Sequence, residues 1–261
     1  MNGQIVAHPT TTFMPPPLAT KKARRVHYPT SDGKPMGETE YHIILILSLI
    51  MQLRAWLTAR PDAYVVGDIL FYYEEGNNKR FIVPDVMVVF GTHQGGRTSY
   101  KLWEEDRAPA VVIEVASKST YRRDLEEKKD LYQSFGVAEY YVTDPMPPDK
   151  RCLAEPLMAY WLDEAGEYAR QPVNGGRIYS PALGLELVHD GVTLRLFDPV
   201  QQVFIPTYAE AVTAQQEAEA AQREAEARAA RQAAEAEARA ARQALEIEQL
   251  RAELARLKGN S

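Results

Sequence analysis

Two stretches decide the fold: FIVPDVMVVF at Phe81–Phe90 and APAVVIEVAS at Ala108–Ser117. Both are rich in β-branched and aromatic residues, and Gly, Asn and charged clusters bound them, so both read as strands. Each carries one carboxylate where a core residue is expected. Asp85 follows Pro84 inside the first, and Glu114 has only apolar neighbours in the second. An ionised carboxylate among apolar side chains is costly unless a cation or a hydrogen-bond network compensates it. Two such acids on neighbouring strands, a backbone carbonyl such as that of Val115, and waters would give a hard cation the oxygen shell that magnesium takes. The alternative is a pair of acids at strand ends, satisfied by backbone amides or by Arg.

Working outward, AYVVGDILFYYEE (63–75) reads as a further strand, joined to 81–90 by a hairpin turn at EEGNNK. Thr39 is placed to cap a helix from Glu40 to about Arg60, stopped by Pro61. Its run IILILSLIMQL (Ile43–Leu53) is shorter than the ~20 residues that span a bilayer and reads as a buried helix. A second helix is expected from Thr120 to Phe135, with Gly136 as its stop. Asp124, Lys128 and Tyr132, each four apart, share one face of it. Lys128 can then point back at the two acids. Its alternative is an ordinary surface pair with Asp124. Lys118, four residues past Glu114, is a second candidate lysine. EYYVTD (139–144) is another strand, and residues 157–206 add hairpins with turns at Gly166 and Gly175-Gly176. The expected class is α/β, a mixed sheet flanked by helices.

Tyr208–Lys258 lacks Gly and Pro and repeats EARAARQA at Glu226–Ala233 and Glu237–Ala244, a period of eleven. A long helical tail is expected, with a coiled-coil seam only at Ile247, Leu250, Leu254 and Leu257. The chain therefore divides into a Pro/Thr-rich leader (1–35) without apolar periodicity, expected to be extended and disordered, a core domain (36–206) and the tail (207–261). The tail makes a homo-oligomer, a dimer for example, an expected state, with a solvated single helix as the alternative.

The 261 residues carry a net charge of −6. Residues 36–206 hold seventeen basic against twenty-five acidic side chains, so no broad basic face is evident, and KKARR at Lys21–Arg25 is the one basic cluster. Cys152 is the sole cysteine, which excludes an intramolecular disulfide and a cysteine-based zinc site. With no signal-like start and no membrane segment, a cytoplasmic protein is expected.

PDV at Pro84–Val86, VIEVASKST at Val112–Thr120, then Asp124, Lys128, Tyr132 and GVAEYYVTDP at Gly136–Pro145 together resemble the Uma2 family of endonucleases, within the PD-(D/E)xK nuclease superfamily. The resemblance covers roughly Met36–Leu196. It implies a restriction-endonuclease-like fold and hydrolysis of DNA phosphodiesters with Mg2+ or Mn2+, Asp85 and Glu114 being ligands. It also implies a lysine that polarises the attacking water or the phosphate. That lysine lies two residues after the acid in the superfamily pattern, where this chain has Ala116. Lys128 matches the one that the family places on the following helix, whereas the family usually has proline at the position of Lys118. An acid on the first helix often completes such sites, so Glu40 is the choice there over Glu38, as an assisting or metal-binding group, with His42 nearby. The competing function is a nuclease-fold module without catalysis that binds nucleic acid or protein through its tail.

Overall fold

The computed structural model describes residues 26–30 and 39–259, with side chains to Ala252. Most of the expected leader, KKARR and Glu38 lie outside the described residues. The part of the leader that is described is docked rather than extended and free. The Tyr28 ring packs edge-on to Tyr72, and Tyr72 Oη donates to the Pro29 carbonyl at 2.7 Å.

Strand β6 (Val111–Val115) is the axis of the fold. It lies in a six-stranded sheet ordered β1 (Ala63–Val66), β4 (Val86–Phe90), β6, β7 (Glu139–Thr143), β8 (Leu157–Leu162) and β9 (Tyr168–Gln171). Within this sheet the β6–β7 pair is parallel and the others antiparallel, and the helical segment 121–134 makes the crossover that a parallel pair requires. Side chains alternate along a strand, so the two faces of β6 meet different partners. Val111, Ile113 and Val115 pack with Leu45, Leu49 and Leu53 of helix α1 (Glu40–Trp56). Val112 and Ala116 pack with Tyr132 and Val137 on the opposite face, and Glu114 has the parity of that second face.

Beneath α1, a four-stranded antiparallel sheet of β10 (Arg177–Ser180), β11 (Leu185–His189), β12 (Leu194–Asp198) and β13 (Val203–Phe204) adds Leu185, Leu187, Leu194 and Leu196 to the same core. A small third sheet joins β2 (Phe71–Tyr72) to β3 (Phe81–Ile82) and β5 (Tyr100–Lys101). The short helix α2 (Leu102–Glu105) follows β5. The tail is one helix, α5 (Tyr208–Gly259), of 52 residues.

The expected elements are present, with four differences. The segment 63–75 is two strands in different sheets, because the chain turns at Gly67-Asp68, with Asp68 left-handed at φ 52°. A Cβ on Gly67 would collide with the Asp85 carbonyl oxygen, so the close approach of the two backbones needs glycine. The segment 81–90 is split at Val83-Pro84-Asp85, since proline cannot donate to the ladder.

The second helix runs as α3 (Tyr121–Arg123), a π turn (Asp124–Lys128) and α4 (Lys129–Ser134), and Gly136 follows it at φ +79°. Lastly, α1 is buried on one face only. Tyr41, Ile44, Leu47 and Met51 are exposed, which corrects the reading of Ile43–Leu53 as a buried helix. Glu40–Ala59 is long and apolar enough to cross a membrane by length and composition, yet Leu45, Leu49 and Leu53 bury it against the sheet.

Candidate active site

Where the β4–β6 ladder ends at the Val86–Ile113 pair, a side chain takes over from the backbone. Pro84 has no N–H to continue the ladder, and Asp85 Oδ2 accepts the Val115 amide at 2.7 Å instead. The Val115 carbonyl faces the same side as its amide, toward Asp85, because a strand residue directs both groups at one neighbour. One residue earlier on β6, Glu114 is fully buried. Its Oε2 accepts the Lys128 ammonium at 2.8 Å and the Asp85 amide at 3.4 Å, and its Oε1 accepts the Tyr132 hydroxyl at 2.6 Å.

Lys128 Nζ also donates to the Val83 carbonyl at 3.2 Å and lies 3.2 Å from Asp124 Oδ1, an ion pair out of line for a hydrogen bond. The π turn explains how one helix delivers all three partners. On an α-helix each four-residue step overshoots a full turn by about 40°, so Asp124, Lys128 and Tyr132 would fan out. A π turn takes up an extra residue and winds that drift back, and such turns are often found at functional sites. All three side chains are buried.

The electrostatics follow from three acids around one ammonium. Burial pushes the Glu114 carboxyl well above its ordinary range, Lys128 opposes this, and Asp85 and Asp124 add to it. Asp124 is raised for the same first reason. Burial also works to raise Asp85, but the contacts of His42, Lys128 and the Val115 amide outweigh it and leave that carboxyl below its usual range. Burial would lower Lys128, yet Glu114, Asp124 and Asp85 together push it above its ordinary value. Lys128 is therefore a fixed cation at neutral pH and no base. Its single charge leaves the three acids under-compensated, and Asp124 is buried with that shared ammonium 3.2 Å away.

A hard divalent cation fits this charge deficit and this all-oxygen donor set. Among the described residues no three His, Cys, Asp or Glu side chains converge as ligands. Asp85 and Glu114, with the Val115 carbonyl and waters, are the residues that could hold it.

The predicted site residues divide clearly. Asp85, Glu114, Asp124 and Lys128 converge, and His42, buried on α1, brings Nε2 to 3.7 Å from Asp85 Oδ1. Glu40 does not join them. It is exposed, about 200° around the helix from His42. Lys118 is exposed in the Ser117–Thr120 turn. Tyr132 was legible only as a member of the four-residue spacing, and its hydrogen bond to Glu114 gives it a defined part. Gly67, pressed against Asp85, was marked only by the Gly67-Asp68 step inside the apolar run.

A family model described as "Putative restriction endonuclease" matches residues 19–194. The chain belongs to the Uma2 family. Uma2 membership covers more than half of the sequence and includes all of the converging residues. Among solved structures, the chain is similar to a "putative nuclease belonging to DUF820" from Anabaena variabilis ATCC 29413. The two are 14% identical over 57% of this chain and 76% of that one, with a TM-score of 0.41. No curated protein matches. The Uma2 assignment supports a nuclease.

Proposed function

We propose that this protein is a metal-dependent endonuclease that hydrolyses DNA phosphodiester bonds. The observation that carries the reading is the buried cluster of Asp85, Glu114 and Asp124 around Lys128, at the point where β4 leaves its ladder. Bound Mg2+, or Mn2+ in its place, would supply Lewis acidity at a phosphoryl oxygen and a water of lowered pKa.

The chain's own groups have distinct tasks. Asp85 is the one acid of the three with an exposed edge, 19% of its side chain, so the phosphate approaches from its side. Its low pKa keeps it a carboxylate ready to bind a cation. Lys128, committed to Glu114, Val83 and Asp124, holds the Glu114 carboxylate in place. Its fixed charge favours the negative charge that builds on the phosphate in the transition state. Tyr132 anchors the other Glu114 oxygen. His42 sits where it can orient Asp85 or a water.

The test is cleavage of duplex and single-stranded DNA with Mg2+ by wild type, Asp85→Asn and Glu114→Gln. Each variant should lose activity about a hundredfold or more. Wild-type rates from Asp85→Asn would remove the proposed ligand from the mechanism.

One observation favours a second reading, a nuclease-fold module without catalysis. Both Glu114 oxygens already have partners within the chain. Calorimetric titration with Mg2+ and Mn2+ separates the two, since a binding-only module has no need to bind either.

A further inference from the structure

The outward face of α1 is built like an interface. A helix that is apolar all round is normally covered all round. Here Leu45, Leu49 and Leu53 meet the sheet, while Tyr41, Ile44, Leu47 and Met51 stand in solvent, Leu47 with 57% of its surface exposed. The outward seam has a strict spacing of four, three, four, three: Glu40, Ile44, Leu47, Met51, Arg54. That is a heptad pattern with an acid at its first position, a base at its last and three apolar residues between. Glu40 and Arg54 are both exposed.

Such a seam is complementary to itself when reversed. With a twofold axis through Leu47, Glu40 of one copy faces the partner's Arg54, Ile44 lies beside the partner's Met51, and Leu47 meets the partner's Leu47. The Glu40–Arg54 and Ile44–Met51 contacts each occur twice and Leu47–Leu47 once, on the axis, as an isologous pairing requires. A parallel pairing would instead set Glu40 against Glu40 and Arg54 against Arg54.

We propose that this face binds a second copy of the chain, through antiparallel packing of α1 on α1. The interface is formed by α1 rather than by the helical tail, whose start lies against α1, and it does not depend on whether the acid cluster cleaves DNA. It does place the helix that carries His42 at the dimer axis.

The experiment uses the full chain and light scattering at micromolar concentration. Wild type should be a dimer, and Leu47→Glu, a change at an exposed position that leaves the circular dichroism intact, a monomer. Glu40→Arg should raise the dimer Kd about tenfold, since it sets like charges together at two symmetric places. Adding Arg54→Glu to it should restore the dimer, a rescue that a merely structural role for either residue would not give. Mild oxidation of Leu47→Cys should yield a covalent dimer, which Asn78→Cys on the distant hairpin should not.

A monomeric wild type overturns the proposal. So does a Leu47→Glu dimer, which would assign association to α5, or a wild-type dimer whose Leu47→Cys form does not cross-link. A wild-type monomer that floats with phosphatidylcholine vesicles, while Leu47→Glu does not, would give the face to a membrane instead.

Discussion

The two helical segments that cover the central sheet solve opposite problems. Helix α1 is regular, apolar and capped by the Thr39 side chain, and it contributes burial to the face of β6 that carries Val111, Ile113 and Val115. The segment 121–134 is charged and widened by a π turn, and it delivers Asp124, Lys128 and Tyr132 to the face that carries Glu114. One strand thus separates packing from chemistry by the alternation of its side chains. The first face is expected to govern stability alone, the second both stability and activity.

The sharpest way to break this division is Lys128→Met. It removes the one ammonium among three acids and leaves their charges uncompensated, so it should cost about 3–5 kcal/mol by denaturant unfolding. It should also lower cleavage by about a hundredfold or more. On the other face, Leu49→Ala should cost about 2–5 kcal/mol through the cavity it leaves and keep near-wild-type cleavage per folded molecule. A large loss of specific activity in Leu49→Ala would mean that the two faces are not independent.

Tyr132→Phe deletes one hydrogen bond to Glu114 and should cost about 1–3 kcal/mol, with a smaller loss of activity than Lys128→Met. Equal losses would show that the tyrosine, not the lysine, sets the Glu114 geometry.

The smallest effect is expected at the far end of the same face, at the Arg97–Glu105 pair. Hydrogen bonds from Arg97 hold the Glu105 carboxyl below its usual range, burial working against them. A depressed carboxyl contributes stability that is present above its unfolded pKa and lost as pH falls through its folded one. Glu105→Gln should therefore cost about 1 kcal/mol or less at pH 7. The gap to wild type should shrink as pH drops below about 4. A gap that grew in acid would assign the pair a different role.

Much of this division could be read from residue order. The Thr39 cap, the hairpin at Gly76, the strand around Glu114, the stop at Gly136 and the shared face of Asp124, Lys128 and Tyr132 are all local signals. What stayed hidden is nonlocal. Gly67-Asp68 interrupts the apolar pattern, but only the Asp85 backbone pressed against Gly67 shows why the chain must turn there. A π turn has no composition of its own. The choice of Glu40 rested on the family resemblance, whereas the phase of α1 decides which residue faces Asp85, and it turns His42 inward. The length of the Ile43–Leu53 run is silent about how many of its faces are covered.

Helix α5 has a mechanical consequence. At about 1.5 Å per residue its 52 residues form a rod of about 78 Å, stiffened by ion pairs one turn apart such as Arg223–Glu219 and Arg228–Glu224. A rod of that length adds hydrodynamic drag out of proportion to its mass. The chain will diffuse as a larger particle than 29.4 kDa implies, and anything carried at the far end of α5 sweeps a wide volume around the acid cluster.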